Sequence, residues 1–224
     1  MPDTNTQAAP PQAAPPQAAV VKKPAIRPRH AASLIIVRQA RNGVELLMGM
    51  RGAKHRFMPN ILVFPGGRVD RGDHRAPCAT PLRADTRMLL ERAAPPRLAQ
   101  SLALAAAREL EEETGLTLAA APGGPPALDG LSYLCRAVTP PHLHMRFNAR
   151  FLVVDADRVR GELAGSGELE ALRYHGIEDA LAQDLAGITR EVLHHLQAFL
   201  AMSAAARAGR TQTPINHRNV WRME

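Results

Sequence analysis

The stretch RELEEETGL, residues 108–116, decides how the rest of the chain is read. It sets Arg108 and four carboxylates, Glu109, Glu111, Glu112 and Glu113, into six consecutive positions and then breaks off at Thr114 and Gly115. Upstream, Ala99, Ala103, Ala106 and Leu110 recur at helical intervals. Gly115 stands where a helix C-cap belongs, so the spacing predicts a helix that ends there. At about 100° per residue, Glu109, Glu112 and Glu113 fall within roughly 100° of arc beside the apolar stripe, and Glu111 points away. Like charges at i, i+3 and i, i+4 repel by roughly a few tenths of a kcal/mol each, and a helix C-terminus disfavours anions. Arg108, four residues before Glu112, offsets one of them. A hard divalent cation would satisfy the others, because Mg²⁺ takes oxygen ligands. A solvated acidic face accounts for Glu111, but not for a cluster that follows a Pro-Gly-Gly turn and runs into Gly115 and a strand.

Working outward, SLIIV (33–37) and VELLMGM (44–50) are apolar strands around a turn at Arg41, Asn42 and Gly43, which predicts a hairpin. RGAKHRFMPN (51–60) reads as a polar loop, and ILVF (61–64) as a strand ending in the sharp turn at Pro65, Gly66 and Gly67. Residues 74–98 are rich in Arg, Ala and Pro, with one helical turn expected at RMLLER (87–92). LTLAA (116–120), LSYLCRAV (131–138) and RFNARFLVVDAD (146–157) read as strands. IEDALAQDL (177–185) and ITREVLHHLQAFLAM (188–202) read as helices, the second amphipathic through Ile188, Val192, Leu196 and Leu200. Mixed strands with few helices and no βαβαβ regularity argue for an α+β sandwich.

A chain of 224 residues is long enough for one domain with tails. Residues 7–19 repeat QAAPP and have no face to bury, which predicts a disordered tail over 1–30, a domain over 31–206 and a C-terminal tail over 207–224. Cys78 and Cys135 form no CxxC pair, so a reducing compartment is expected. The amino terminus lacks the charge-then-apolar order of a secretory signal, and no run reaches the roughly 20 apolar residues of a membrane span, so a cytoplasmic protein is expected.

The net charge of +7 raises the question of nucleic acid. Residues 1–30 carry +3 and residues 207–224 another +3, which leaves +1 for the middle. A domain gripping a nucleic-acid backbone should hold its own basic stripe, so that partner is disfavoured. His142 and His144, and His194 and His195, have no zinc-type spacing joined to a third ligand.

Arg108, Glu109, the aliphatic Leu110, Glu112, Glu113, Gly115 and Leu116 match the second half of the Nudix box, GX5EX7REUXEEXGU with U aliphatic. The first half is similar from Gly67 to Asp73, directly after Phe64, Pro65 and Gly66. On these residues the chain, from about residue 33 to about 204, resembles the Nudix hydrolases. It departs in having Asp73 in place of Glu, and in placing 34 residues (74–107) where the pattern has seven, 27 more. The resemblance implies a Nudix α/β/α sandwich with a mixed sheet and a loop-helix-loop metal site. It also implies hydrolysis of a nucleoside diphosphate linked to another moiety, with Mg²⁺ or Mn²⁺ as cofactor.

The long insertion, Phe57-Met58-Pro59 before the turn, Arg51 and Arg56 ahead of it, and AVTPP (137–141) followed by RFNARF (146–151) resemble the coenzyme A diphosphatase subgroup. Asn60 stands where that pattern has Gly, and Gly52 where it has Ser or Ala. The resemblance implies Glu109, Glu112 and Glu113 as metal ligands with the Gly67 carbonyl, Arg108 as their orienting partner, and a general base at Glu109, or at Glu168 or Glu170. Arg51, Arg56, Arg68 and Asp73 are implied in substrate binding. The expected products are 4′-phosphopantetheine and 3′,5′-ADP. Another diphosphate substrate (ADP-ribose, NADH, capped RNA) and an inactive binding module are the alternatives. A small-molecule diphosphate is the expected partner, with homodimerisation left open.

Overall fold

The computed structural model describes residues 26–52, 60–165 and 167–224. Strand β1 (Arg29–Ala40) turns at Arg41 and Asn42 into β2 (Gly43–Arg51), which pairs antiparallel with it. The short β3 (Leu62–Val63) and β4 (Gly66–Arg68) carry the chain through the glycine turn. Helices α1 (Ala84–Glu91) and α2 (Pro96–Thr114) follow. Then come β5 (Leu116–Thr117), β6 (Ser132–Val138), β7 (Phe147–Asp155), β8 (Arg160–Gly161) and β9 (Leu169–Gly176). Helices α3 (Ile177–Leu181), α4 (Gly187–Ala201) and α5 (Ala204–Ala208) lead to β10 (Pro214–His217) and β11 (Val220–Met223).

Nine strands form one mixed sheet in the order β11-β10-β6-β7-β1-β2-β3, with β4 also on β1 and β9 also on β2. β1 pairs parallel with β7, and β10 parallel with β6, while the other pairs of this sheet are antiparallel. The period-2 alternation of β1 divides the core. Ala32, Leu34 and Ile36 pack toward α1 and α2, and Ile35 and Val37 toward α3 and α4. The result is the expected α+β sandwich, helices on both faces of a mixed sheet.

Helix α2 starts at Pro96, earlier than the apolar spacing alone implies; proline at the first helical position needs no amide donor there. It ends at Gly115, which takes the left-handed conformation (φ 72°) and donates its amide to the Glu111 carbonyl. Leu102 and Leu110 are fully buried, each contributing about 1.5–3 kcal/mol relative to exposure.

The stretch between Asp73 and Arg108 is part of the core. α1 is a helix of eight residues, longer than the single turn expected; Leu89 and Leu90 are buried, and the Thr86 hydroxyl donates to the Leu131 carbonyl. The stretch 207–224, expected as a tail, supplies two strands of the sheet instead. Ile215 is buried beside β6, and Trp221 stacks edge-on against His195 at 4.2 Å. Of the segment expected as an amino-terminal tail, residues 1–25 lie outside the described residues, and Arg29 and His30 already belong to β1. Cys78 and Cys135 are free. No described helix is long and apolar enough to cross a membrane.

Candidate active site

The site lies where α2 ends against β4. Asp73 sits in a 3-10 turn, Gly72–His74, and is 3 % exposed. Its Oδ1 accepts from Arg108 Nε at 3.0 Å, and its Oδ2 from the second terminal nitrogen of Arg108 at 3.1 Å and from the Asp70 amide at 2.8 Å. Expected among substrate contacts, Asp73 instead turns inward and fixes Arg108. A two-point guanidinium–carboxylate contact sets orientation as well as energy.

From that anchor, Arg108 reaches two acids with its other terminal nitrogen, Glu109 Oε1 at 2.9 Å and Glu112 Oε2 at 2.8 Å. It also donates to the Arg68 carbonyl at 3.0 Å. The Asp73 contact holds the guanidinium protonated well above its ordinary range, although burial opposes this. Of the glutamates that meet here Glu113 is the innermost, 5 % exposed, and Glu112 the outermost, its side chain 58 % exposed. Glu113 Oε2 accepts from the Gly66 amide at 2.7 Å. Burial pushes its carboxyl up to about 8, with Glu109 and Glu168 adding to the shift and the Gly66 amide and Arg51 opposing it. Burial also raises Glu109, against Arg108.

The glycine turn sets how close backbone and acids come. A Cβ at Gly67 would overlap the Glu109 carboxylate, and one at Gly66 (φ 153°) would lie 2.5 Å from the Ala32 carbonyl oxygen. Leu34 donates to the Pro65 carbonyl and Val69 to the His30 carbonyl, so hydrogen-bonded pairs of the β1–β4 ladder fall at every second position. Gly67, opposite Ala32, is in that phase, which directs its carbonyl to β1. Gly66, one residue earlier, faces the acids with its backbone. The Gly67 carbonyl expected at the acids is thus turned to β1, and Gly66, whose amide bonds Glu113, is the glycine that meets the acids there; the motif alone does not single it out, and the alternation of narrow and wide pairs is the signal that finds it.

The other expected residues divide. Arg51 is brought to the acids, its charge opposing the rise at Glu113, and its Nε is buried with no hydrogen-bond partner among the described residues. Glu168 is exposed, its charge bears on both Glu109 and Glu113, and its carbonyl accepts from the Gly52 amide at 3.3 Å. Glu170 is exposed on β9. Arg68 contributes its carbonyl to Arg108, while its side chain lines a separate cleft. Arg56 lies outside the described residues.

Among the described residues no three acidic, histidine or cysteine side chains converge as a ready cation cage. Glu109 and Glu112 instead share one nitrogen of Arg108. The donor set still fits a hard cation. It is all oxygen, and burial disfavours the charged forms of Glu109 and Glu113, a cost that a divalent ion would relieve.

This architecture is similar to that of a solved Nudix hydrolase. A Nudix hydrolase from Alicyclobacillus acidocaldarius is 25% identical, aligns over 82% of this chain and 96% of its own, and superposes with a TM-score of 0.63. A MutT Nudix hydrolase from Burkholderia pseudomallei is 23% identical over 76% of this chain and 99% of its own, with a TM-score of 0.49. No family model and no curated protein matches the sequence. The fold, with the box residues gathered on it, places the chain in the Nudix superfamily. Within it the chain is a pyrophosphohydrolase, of a class of enzymes that use divalent metal ions.

Proposed function

We propose that this protein hydrolyses the diphosphate of coenzyme A or an acyl-coenzyme A in the cytoplasm, releasing 4′-phosphopantetheine and 3′,5′-ADP. The observation that carries the reading is the Arg108 clamp, one guanidinium tied to Asp73, Glu109 and Glu112 beside a Glu113 anchored on the Gly66 amide. For the substrate, support comes from Arg51 beside Glu113, from RFNARF (146–151), and from the insertion, whose helix α1 is built into the core. Phe57, Met58 and Pro59 of the subgroup pattern fall outside the described residues.

Glu109, Glu112, Glu113 and the Gly66 carbonyl would hold Mg²⁺ or Mn²⁺. When bound, such an ion neutralises phosphoryl oxygens and lowers the pKa of a water. The chain's own groups do the rest. Arg108, immobilised by Asp73, keeps Glu109 and Glu112 aimed at a common point. Arg51 supplies positive charge on the Glu113 side for the diphosphate. Glu168, exposed at the rim and within electrostatic reach of Glu109, takes the proton of the attacking water, with Glu109 as the alternative base.

The test is turnover of coenzyme A by the full chain with Mg²⁺ or Mn²⁺, beside ADP-ribose, NADH and a nucleoside triphosphate. Chelator-sensitive release of 4′-phosphopantetheine supports the reading. Preference for another of these substrates moves the specificity while leaving the reaction class, and no turnover with either metal overturns both.

A further inference from the structure

Residues 31–206 carry a net charge of only +1, yet their arginines, joined by Arg29 just before them, are unevenly placed. A cleft of about 730 Å³ opens between the start of β1, the turn after β4 and the first turn of α2. Arg29, Arg68 and Arg71 line it with His30 and His74. A neighbouring depression of about 310 Å³ shares Arg71 and His74 and adds Arg75 and Arg97. None of these five arginines forms an ion pair among the described residues, and Asp70 is the one acid on the described walls. So much uncompensated guanidinium in one concavity is a surface that lacks its anion.

A second observation lies behind the cleft wall. Arg150 is 1 % exposed and has no carboxylate partner among the described residues. Its guanidinium donates to the Asn148 carbonyl at 2.9 Å, to the Ala93 carbonyl at 3.0 Å and to His30 Nδ1 at 3.1 Å. A buried charge is costly without a counter-ion. Because His30 accepts at Nδ1, the neutral ring carries its proton on Nε2 and keeps a donor. His74 is likewise fixed, its Nδ1 2.7 Å from the Ser101 hydroxyl, which itself donates to the Arg97 carbonyl.

We propose that this arginine-lined cleft, together with the depression beside it, binds a phosphate group, with Arg71, which lines both, and Arg97 of the depression gripping it and the buried Arg150 supporting the His30 wall. Leu98, on the cleft wall, and Glu109 are eleven residues apart on α2, about 16 Å along the helix. The bound group is therefore not the diphosphate under attack. It is either a phosphomonoester at the far end of the substrate, an assignment that rests on the function proposed above, or a free anion.

The experiment uses the full chain and inorganic phosphate, titrated calorimetrically at low salt in chelator. Arg71→Gln combined with Arg97→Gln should weaken phosphate binding at least about tenfold, the scale of a lost charge-assisted hydrogen bond. Arg92→Gln, an exposed arginine outside the cleft, should leave it unchanged. Unchanged affinity in the double variant, or an equal loss in Arg92→Gln, overturns the site. Kinetics with coenzyme A and dephospho-coenzyme A separate the two sources. A KM raised about tenfold for coenzyme A alone, at constant kcat, assigns the phosphate to the substrate; unchanged KM for both, with phosphate affinity lost, assigns it to a free anion. If neither compound is hydrolysed the proposed function falls, and the phosphate titration still decides the cleft.

Discussion

Arg108 and Asp73, 35 residues apart in the chain, meet in a two-point contact, with Nε on Oδ1 at 3.0 Å and a terminal nitrogen on Oδ2 at 3.1 Å. The 34 residues between them, 74–107, leave their contact intact. The shorter Asp arm suffices because the 3-10 turn brings its backbone close and the Asp70 amide occupies the same carboxylate.

Removing that carboxylate leaves a half-buried guanidinium without its main partner. Asp73→Ala should destabilise the protein by about 3 kcal/mol, roughly 6–12 °C in Tm for a domain of this size, and lower kcat as Arg108 loses its anchor. Asp73→Glu keeps the charge but adds a methylene to a buried place, so its Tm should fall between wild type and Asp73→Ala. Thermal unfolding checks the order; equal Tm for all three contradicts the role assigned to Asp73.

The Gly67 position tests the approach of backbone to acid. The atoms a Cβ would meet are the mobile end of Glu109, so Gly67→Ala should fold with Tm nearly unchanged. Its displaced carboxylate should cost on the order of 10–100-fold in metal-dependent activity or metal affinity. Wild-type activity in this variant would separate Glu109 from the metal.

The pH dependence of the metal-free protein follows from Glu113. Its pKa is raised in the folded state to about 8, above the ordinary 4.5. The folded protein thus keeps a proton that the unfolded chain loses. Its contribution to stability is complete below about pH 4.5 and is lost as pH rises through about 8, with a slope of at most about 1.4 kcal/mol per pH unit. Urea unfolding in chelator between about pH 5 and pH 9 should show the decline, and Glu113→Gln should flatten it. A wild-type slope retained in Glu113→Gln would contradict the assignment.

The C-terminal strands carry a structural prediction. Ending the chain after residue 206 removes Ile215 from the core and Trp221 from His195, and exposes the edge of β6. Losing one buried isoleucine costs about 2–5 kcal/mol, so Tm should drop by roughly 10 °C or the protein should aggregate. Unchanged Tm would mean that this segment is the loose tail its composition suggests.

What could be read from the sequence was local. The helix end at Gly115 and the acid edge of α2 follow from the period of 3.6, and the strand at 33–37 from its apolar run, signals that short-range sterics and burial impose. Contacts made by tertiary pairing were hidden. Asp73 looked available to substrate because its partner stands beyond a 34-residue spacer. β10 and β11 are four residues each, too short to announce themselves, and exist because β6 and the α4 face offer them a register and an apolar seat. The start of α2 at Pro96 is passed over when the helix is read from apolar spacing alone. Which glycine presents its amide to Glu113 depends on ladder phase, and no motif encodes that.

The most direct measurement compares coenzyme A hydrolysis by wild type and Glu112→Gln, side by side in Mg²⁺ and in chelator. The predicted result is cleavage by wild type that chelator abolishes, and a rate on the order of 100-fold lower in Glu112→Gln at an unchanged Tm. Wild-type turnover in Glu112→Gln, or turnover that survives chelation, would contradict a metal site built on these carboxylates.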